Sequence, residues 1–309
     1  MAGRGEASDR RRLRIATRGS PLALTQAQSV ADRVGTSSGL PVELLTVRTR
    51  GDAAADVPID RIGGQGAFVK EVQAAVLDGR ADLAVHSAKD LPGLTPPGLV
   101  FACVPERVDP RDALVGATLR TLPTGAAVAT GSVRRRAQLA WLRPDLTFVD
   151  LRGNMRTRLD KARATGAGVV ALAALERLGL RDEVDDVLET GDMLPQVGQG
   201  ALAVECRHDD EHLRELLDAV DDRAAHRQVV AERAFLATLG GGCTLPLAAL
   251  ARDSGADTGR LRLDAMLASA DGRVLLRAAD DGDDPEELGT RLAHHLLDEA
   301  GGRALAEFA

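Results

Sequence analysis

Residues 80–92 read RADLAVHSAKDLP, and the fold turns on what the run DLAVH at 82–86 forms. A short apolar run closed by a polar segment and a proline is too brief for a helix and predicts a buried strand. Ser87, Lys89 and Asp90 then fall in the loop leaving its carboxyl end. In an open α/β sheet that end faces the ligand crevice, so a lysine and a carboxylate there are placed for chemistry. A solvated Lys-Asp pair in a surface turn would give the same letters. The surrounding pattern has to separate the two.

On the amino-terminal side, LRIAT at 13–17 is another short strand, followed by Arg18, Gly19, Ser20 and Pro21. Ser20 suits a helix N-cap and Pro21 the first helical position, and Ala23, Ala27, Val30 and Val34 repeat at helical spacing. A strand feeding a helix N-terminus favours an anion, and Arg18 beside it adds a bidentate carboxylate donor. A plain capped helix with a surface arginine reads the same way. VELLTV at 42–47 is a further strand. The long polar segment 48–66, ending IGGQG, reads as a lid. Phe68, Val72, Ala75 and Val76 mark an amphipathic helix that leads into the opening strand. This β-α-β-α-β alternation predicts a largely parallel sheet with right-handed crossovers.

On the carboxyl side, VPERVDPR at 104–111 reads as a hinge, after which the pattern repeats. A strand at 126–130 meets Gly131 and Ser132, and Arg134, Arg135 and Arg136 occupy the first turn of the next helix. Cations there oppose the helix dipole by roughly 0.3–1 kcal/mol each, a conflict that a bound polyanion would resolve and a solvated basic face would merely tolerate. A strand at 146–149 runs into LRGNMRTRL, placing Arg152, Arg156 and Arg158 at the next strand-to-helix passage. A strand at 169–173 precedes 175–180, which carries Arg177. Arginine at three successive strand ends predicts a basic wall around a cleft, despite a formal net charge of −7.

PQVGQG at 195–200 is a second hinge, 201–205 a strand, and 222–239 an amphipathic helix closed by Gly240, Gly241 and Gly242 before Cys243. Glycines after a helix are ordinary caps, but three before a cysteine give a pliable tether. Past a helix C-terminus the dipole does not favour a thiolate, so Cys243 would offer reach rather than a low pKa; an inert thiol is the plain alternative. Strands at 261–267 and 274–277 and a helix carrying Leu288, Leu292 and Leu296 complete a small α+β domain. His208 and His212 lack a third ligand, so no metal site is expected.

At 309 residues, 44% hydrophobic and 28% charged, the chain suits two or three globular domains. No apolar run approaches the ~18 residues of a membrane span. Residues 1–12 are basic without an apolar stretch, which predicts a flexible tail rather than a secretory signal. Cys103, Cys206 and Cys243 form no CxxC pair, and a reducing, cytoplasmic setting fits. Only Lys70, Lys89 and Lys161 are lysines, so the abundance of arginine reflects composition and only its positions inform. Aromatics are 2% with no tyrosine, leaving few platforms for stacking nucleic acid, and no nucleic-acid partner is expected.

The series RIATRGSPLAL, TRGD, GGQGAFVKE, RADLAVHSAKDLP, DPRDAL, GSVRRRAQL, LRGNMRTRL, LERLGL, VGQGALAVECR and GGCTLPL, in this order from Leu13 onward, resembles the porphobilinogen deaminase (hydroxymethylbilane synthase) family. The resemblance implies two type II periplasmic-binding-protein-like α/β domains, 13–105 with 201–221 and 106–200, plus a small C-terminal α+β domain, 222–309. It implies a transferase that joins four porphobilinogen units head to tail with loss of ammonia. The chain grows on a dipyrromethane cofactor held through a thioether at Cys243, and linear hydroxymethylbilane is released. Asp90 matches the catalytic aspartate, facing the pyrrole N–H of an electrophilic azafulvene. Arg18, Ser20, Lys89, Ser132, Arg134, Arg135, Arg152, Arg158 and Arg177 match contacts to the carboxylates of substrate, oligopyrrole or cofactor. Arg136 and Arg156 are added from position alone. A monomer without membrane partner is implied. The family often has serine where Gly131 stands and lysine where Gln65 and Arg61 stand, which leaves contacts there open. A non-catalytic binder of small polyanions on the same scaffold is the competing reading.

Overall fold

The computed structural model describes residues 12–53, 66, 68–240, 245–255 and 259–308. Thirteen strands among them run in chain order: β1 Leu13–Arg18, β2 Val42–Val47, β3 Leu83–Ser87, β4 Leu99–Cys103, β5 Asp112–Val115, β6 Ala127–Ala129, β7 Thr147–Val149, β8 Gly168–Ala171, β9 Asp186–Leu188, β10 Leu202–Arg207, β11 Leu247–Asp253, β12 Leu261–Ala268 and β13 Leu275–Gly282. The opening stretch is the strand it reads as, β3, and its burial is nearly complete.

Two five-stranded sheets share one plan. In the first the order is β2-β1-β3-β10-β4, and in the second β7-β6-β8-β5-β9. Each begins with parallel pairs, β1 with β2 and β3, β6 with β7 and β8. Each then receives one antiparallel strand that directly follows a chain crossing, β10 beside β3 and β5 beside β8. These are the two type II periplasmic-binding-protein-like units that the resemblance implies.

The antiparallel insertions decide what reaches the cleft. A parallel strand ends at the ligand side, so an antiparallel neighbour must begin there. Leu202, the first residue of β10, pairs with Ser87 at the end of β3. Asp112, the first residue of β5, pairs with Ala171 at the end of β8. Both chain crossings therefore deliver residues to the floor between the sheets, and they touch each other through an Arg107–Ala201 bridge.

Helices cover both faces. Pro21–Ser38 buries Ala27, Val30 and Val34 against Ile15, Leu83 and Val204, and Lys70–Leu77 buries Val72 and Val76 against the opposite face. The strand expected at 169–173 stops at Ala171, because Leu172–Arg177 is helical. The run LAALER favours helix and has no β-branched residue. The expectation missed β4, β5, β9 and β11, all short or without alternation.

The three-stranded sheet β11-β12-β13 is antiparallel and packs through both faces, chiefly of β11 and β12. One face packs Leu247, Leu263 and Leu267 against Phe235, Leu288, Leu292 and Leu296 of the helices Arg223–Thr238 and Pro285–His294 and the turn that follows them. The other face sets Leu250 and Met266 against Ala137 and Leu194 of the second unit. Glu232, fully buried, ties the parts together. It accepts from Arg107 at 2.7 Å on one crossing, from the Gly198 amide at 2.7 Å on the other, and from the Ala251 amide at 2.9 Å in β11. Of the expected tail, only Arg12 is described, and it pairs with Glu43 at 2.8 Å. The expected lid lies mostly outside the described residues.

Candidate active site

Asp90 closes a single 3-10 turn, Ala88–Asp90, that continues from β3, and its side chain is exposed to the cleft. The loop is held in place by Arg233, whose guanidinium donates to the Pro92 carbonyl at 2.9 Å while lying over the Phe101 ring. Two hollows meet at Asp90. One is lined by Arg18, Ser20, Phe68 and His86, the other by Lys89, Ser132, Arg134 and Leu245.

The first hollow is built by the N-terminus of Pro21–Ser38. Ser20 caps that helix, its hydroxyl accepting from the Ala23 amide at 3.3 Å. Arg18 ends β1 and stacks on Phe68, its guanidinium carbon 4.1 Å from the ring centroid, which keeps the charge oriented with little added desolvation. His86 is buried beneath, 3.2 Å from Glu205, which Gln73 also holds at 2.9 Å.

The second wall begins at Ser132, which caps Val133–Leu142 by accepting from the Arg135 amide at 3.4 Å. The clash of cations with this helix end is resolved inside the protein rather than by a ligand alone. Asp112 accepts from Arg135 at 2.8 and 3.1 Å and lies 2.8 Å from Arg134. Burial works to raise the Asp112 carboxyl; the charges of Arg134 and Arg135, with hydrogen bonds from Arg135 and Gln199, override it and hold the group well below the usual carboxylate range. One carboxylate against two guanidiniums leaves the floor positive.

Lys89 shares that floor. It is half-buried, and its ammonium donates to Gln199 at 3.3 Å. Burial first, then the Arg135 charge, push it down from 10.5 to about 8, while Asp90 and Asp112 pull the other way. Arg158 donates to the Gly153 carbonyl at 2.9 Å, and burial first, then Arg135, lower its pKa, with Asp90 opposing. Arg152 pairs with Asp150 at 2.5 Å, and a side-chain Cβ at Gly131 would meet that same carboxylate at 3.0 Å.

So Asp90 shares one hollow with Arg18 and Ser20 and the other with Lys89, Ser132 and Arg134, and Arg158 lies close enough to feel the charges of Asp90, Arg18, Arg135 and Arg152. Arg177 is elsewhere: half-buried at the crossings, it donates to Glu106 at 3.1 Å and to the Gly200 carbonyl at 2.8 Å. Arg156 faces outward toward Glu183, and Arg136 lines a separate open groove beside Trp141. Cys243, Gln65 and Arg61 lie outside the described residues. Sequence reasoning missed Asp112, Gln199, Glu205 and Glu232. The motifs DPRDAL and VGQG contain two of them, but their partners lie far along the chain.

The donor set suits a ligand bearing many carboxylates, since guanidiniums and an ammonium outnumber the local carboxylates. That excess fits a dipyrromethane, with two carboxylates on each ring. Among the described residues no three His, Cys, Asp or Glu side chains gather to hold a metal ion. No described helix is long and apolar enough to cross a membrane.

Two family models match: porphobilinogen deaminase, dipyromethane cofactor binding domain, over residues 13–215, and porphobilinogen deaminase, C-terminal domain, over 226–298. A porphobilinogen deaminase of Roseiflexus sp. (strain RS-1) is 49% identical over 299 residues, covering 94% of this chain and 97% of the relative. One of Syntrophus aciditrophicus (strain SB) is 47% identical, covering 96% and 98%. Among solved structures, the periplasmic VFT2 domain of BvgS from Bordetella pertussis is 16% identical with a TM-score of 0.41, covering 73% of this chain and 93% of that one. Matched along nearly its whole length at close to half identity, the chain belongs to the porphobilinogen deaminase family.

Proposed function

We infer that this chain is a hydroxymethylbilane synthase, joining four porphobilinogen units head to tail with loss of ammonia and releasing the linear tetrapyrrole. The observation that carries this reading is Asp90 standing where the two cation-lined hollows meet. Its units are 13–105 with 201–221, 106–200 and 222–309, and it works as a cytoplasmic monomer without a nucleic-acid partner.

Dipyrromethane is attached at Cys243 in this reading; the described chain resumes at Leu245 on the wall of the second hollow, which supports the attachment. Lys89, Ser132, Arg134, Arg135 and Arg158 would hold its carboxylates. When bound, it supplies a nucleophilic pyrrole carbon on which a chain can start. Arg18 and Ser20 orient the acetate and propionate of incoming porphobilinogen in the first hollow, and Arg152 guides carboxylates at the rim. As the carbon–nitrogen bond of porphobilinogen breaks and ammonia leaves with the electron pair, positive charge spreads to the ring N–H. Asp90 stabilises that charge, an effect strongest in a preorganised site. Arg177 serves the cleft indirectly, by fixing the crossing behind it.

Intact mass and peptide mapping of the recombinant protein test the assignment. The expected result is a covalent excess of two pyrrole units on Cys243 and release of ammonia from porphobilinogen. An unmodified Cys243 with reversible porphobilinogen binding and no ammonia would instead establish a binding protein.

A further inference from the structure

Gln199 and Asp112 have no part in the contacts assigned above, and neither has a surface from which to touch a ligand, both being fully buried. Yet they lie between the two walls. Lys89 Nζ donates to Gln199 Oε1 at 3.3 Å, and Gln199 Nε2 donates to Asp112 Oδ1 at 2.8 Å and to the Pro110 carbonyl at 2.7 Å. Asp112 Oδ1 in turn accepts from Arg135. We propose that Gln199 and Asp112 are positioning residues, forming a hydrogen-bond chain through the hinge that fixes the Lys89 ammonium of the first unit against the Arg135 guanidinium of the second.

The residue type fits the task. A glutamine amide accepts at one end and donates at the other, so it can join an ammonium to a carboxylate; an aliphatic side chain can do neither and a carboxylate only the first. The backbone holds it in place. Gly198 and Gly200 flank it at φ +71° and +87°, and a Cβ on them would meet the Ala88 carbonyl carbon at 2.9 Å and the Val108 oxygen at 2.4 Å. The crossing is thereby pressed against the catalytic turn on one side and the other crossing on the opposite side.

Four charges act on Lys89: Asp90 from its own turn, Arg135 and Asp112 from the second unit, and Arg158 from the helix Met155–Thr165. Against these charges the Gln199 carbonyl accepts directly from the ammonium, a contact available only to the form that carries the donor protons. With burial bringing Lys89 to about 8, that bond acts where the group titrates. The chain's importance for substrate rests on Lys89 being a carboxylate contact, as assigned above; its geometry does not.

The test is the pH dependence of Lys89 acetylation by acetic anhydride, read by peptide mass spectrometry on the resting full-length protein without substrate. Wild type and Gln199→Met are compared at matched intact mass. Lys70 and Lys161, both exposed and the other two lysines of the chain, serve as references. The Lys89 midpoint is expected to fall by about one pH unit in Gln199→Met, since losing an acceptor disfavours the charged form, while the references stay put. In Gln199→Glu it is expected to rise. An unmoved Lys89 midpoint, or a shift shared by all three lysines, overturns the proposal. Should Gln199→Met fail to unfold cooperatively, the Glu variant alone decides, by an upward shift or none. Porphobilinogen kinetics follow on the same samples, with KM raised more than kcat is lowered. A shifted Lys89 in a protein that releases no ammonia upholds the chain and removes the functional reading.

Discussion

At the ligand end of the first sheet, β1 and β3 present Arg18 on Phe68 and the Lys89–Asp90 turn, groups partly open to the cleft. At the matching end of the second sheet, β6 and β5 present Arg134 and Arg135, buried and bound to Asp112. The strand order is the same and the outcome differs. One wall keeps a carboxylate exposed, where it can meet a reacting group. The other engages its carboxylate internally, converting two guanidiniums into a rigid, net positive surface. Under the proposed function, the repeated scaffold separates charge stabilisation from anion holding, according to whether the local aspartate is exposed or buried.

Exchanging the status of those two aspartates is the strongest way to break the comparison. Asp90→Ala is expected to lower porphobilinogen turnover by about 10²–10⁴ while leaving stability within about 0.5 kcal/mol, because the lost group is exposed. Near-normal ammonia release by a folded variant would remove Asp90 from its role. Asp112→Asn is expected to show the reverse emphasis. Two buried guanidiniums lose their counter-charge, and urea unfolding is expected to record a loss of about 3–5 kcal/mol. The sign with pH follows from the depressed Asp112 carboxyl: its contribution is present above the unfolded value near 3.9 and is lost as pH falls toward the folded one. The stability gap between wild type and Asp112→Asn should therefore narrow only below about pH 4. A gap that is constant through that range would mean the carboxylate is not what holds the arginines. The smallest effect is reserved for Arg156→Ala. This side chain faces outward, so stability should stay within about 0.5 kcal/mol and KM for porphobilinogen unchanged. A raised KM would extend the second wall beyond its present limit.

Much of the first wall is readable in the sequence because its signals are local. A proline after SAKD ends the strand, and serine before proline caps a helix, so Ser20, Lys89, Asp90 and Ser132 can be placed from their immediate neighbours. The second wall is readable only as an excess of arginine. Spacing puts Arg134, Arg135 and Arg136 on one helical turn, yet two turn inward to Asp112 and the third to an open groove. Arg177 is placed beside a ligand by its resemblance and stands instead on Glu106 at the crossing. Asp112 itself is hidden in DPRDAL, where it looks like another hinge charge. A buried carboxylate is recognised by its partners, and these lie 23 residues away for Arg135 and 87 for Gln199.

The sequence alone determined the strand at 83–87, the turn after it and the family, because these rest on contiguous patterns and ordered motifs. Tertiary structure decided the direction of β5 and β10. That direction sets which end of each crossing meets the ligand side, and so brings Asp112 and Gln199 to the cleft floor. Strand direction depends on which neighbour a segment pairs with, a non-local choice that no local spacing encodes.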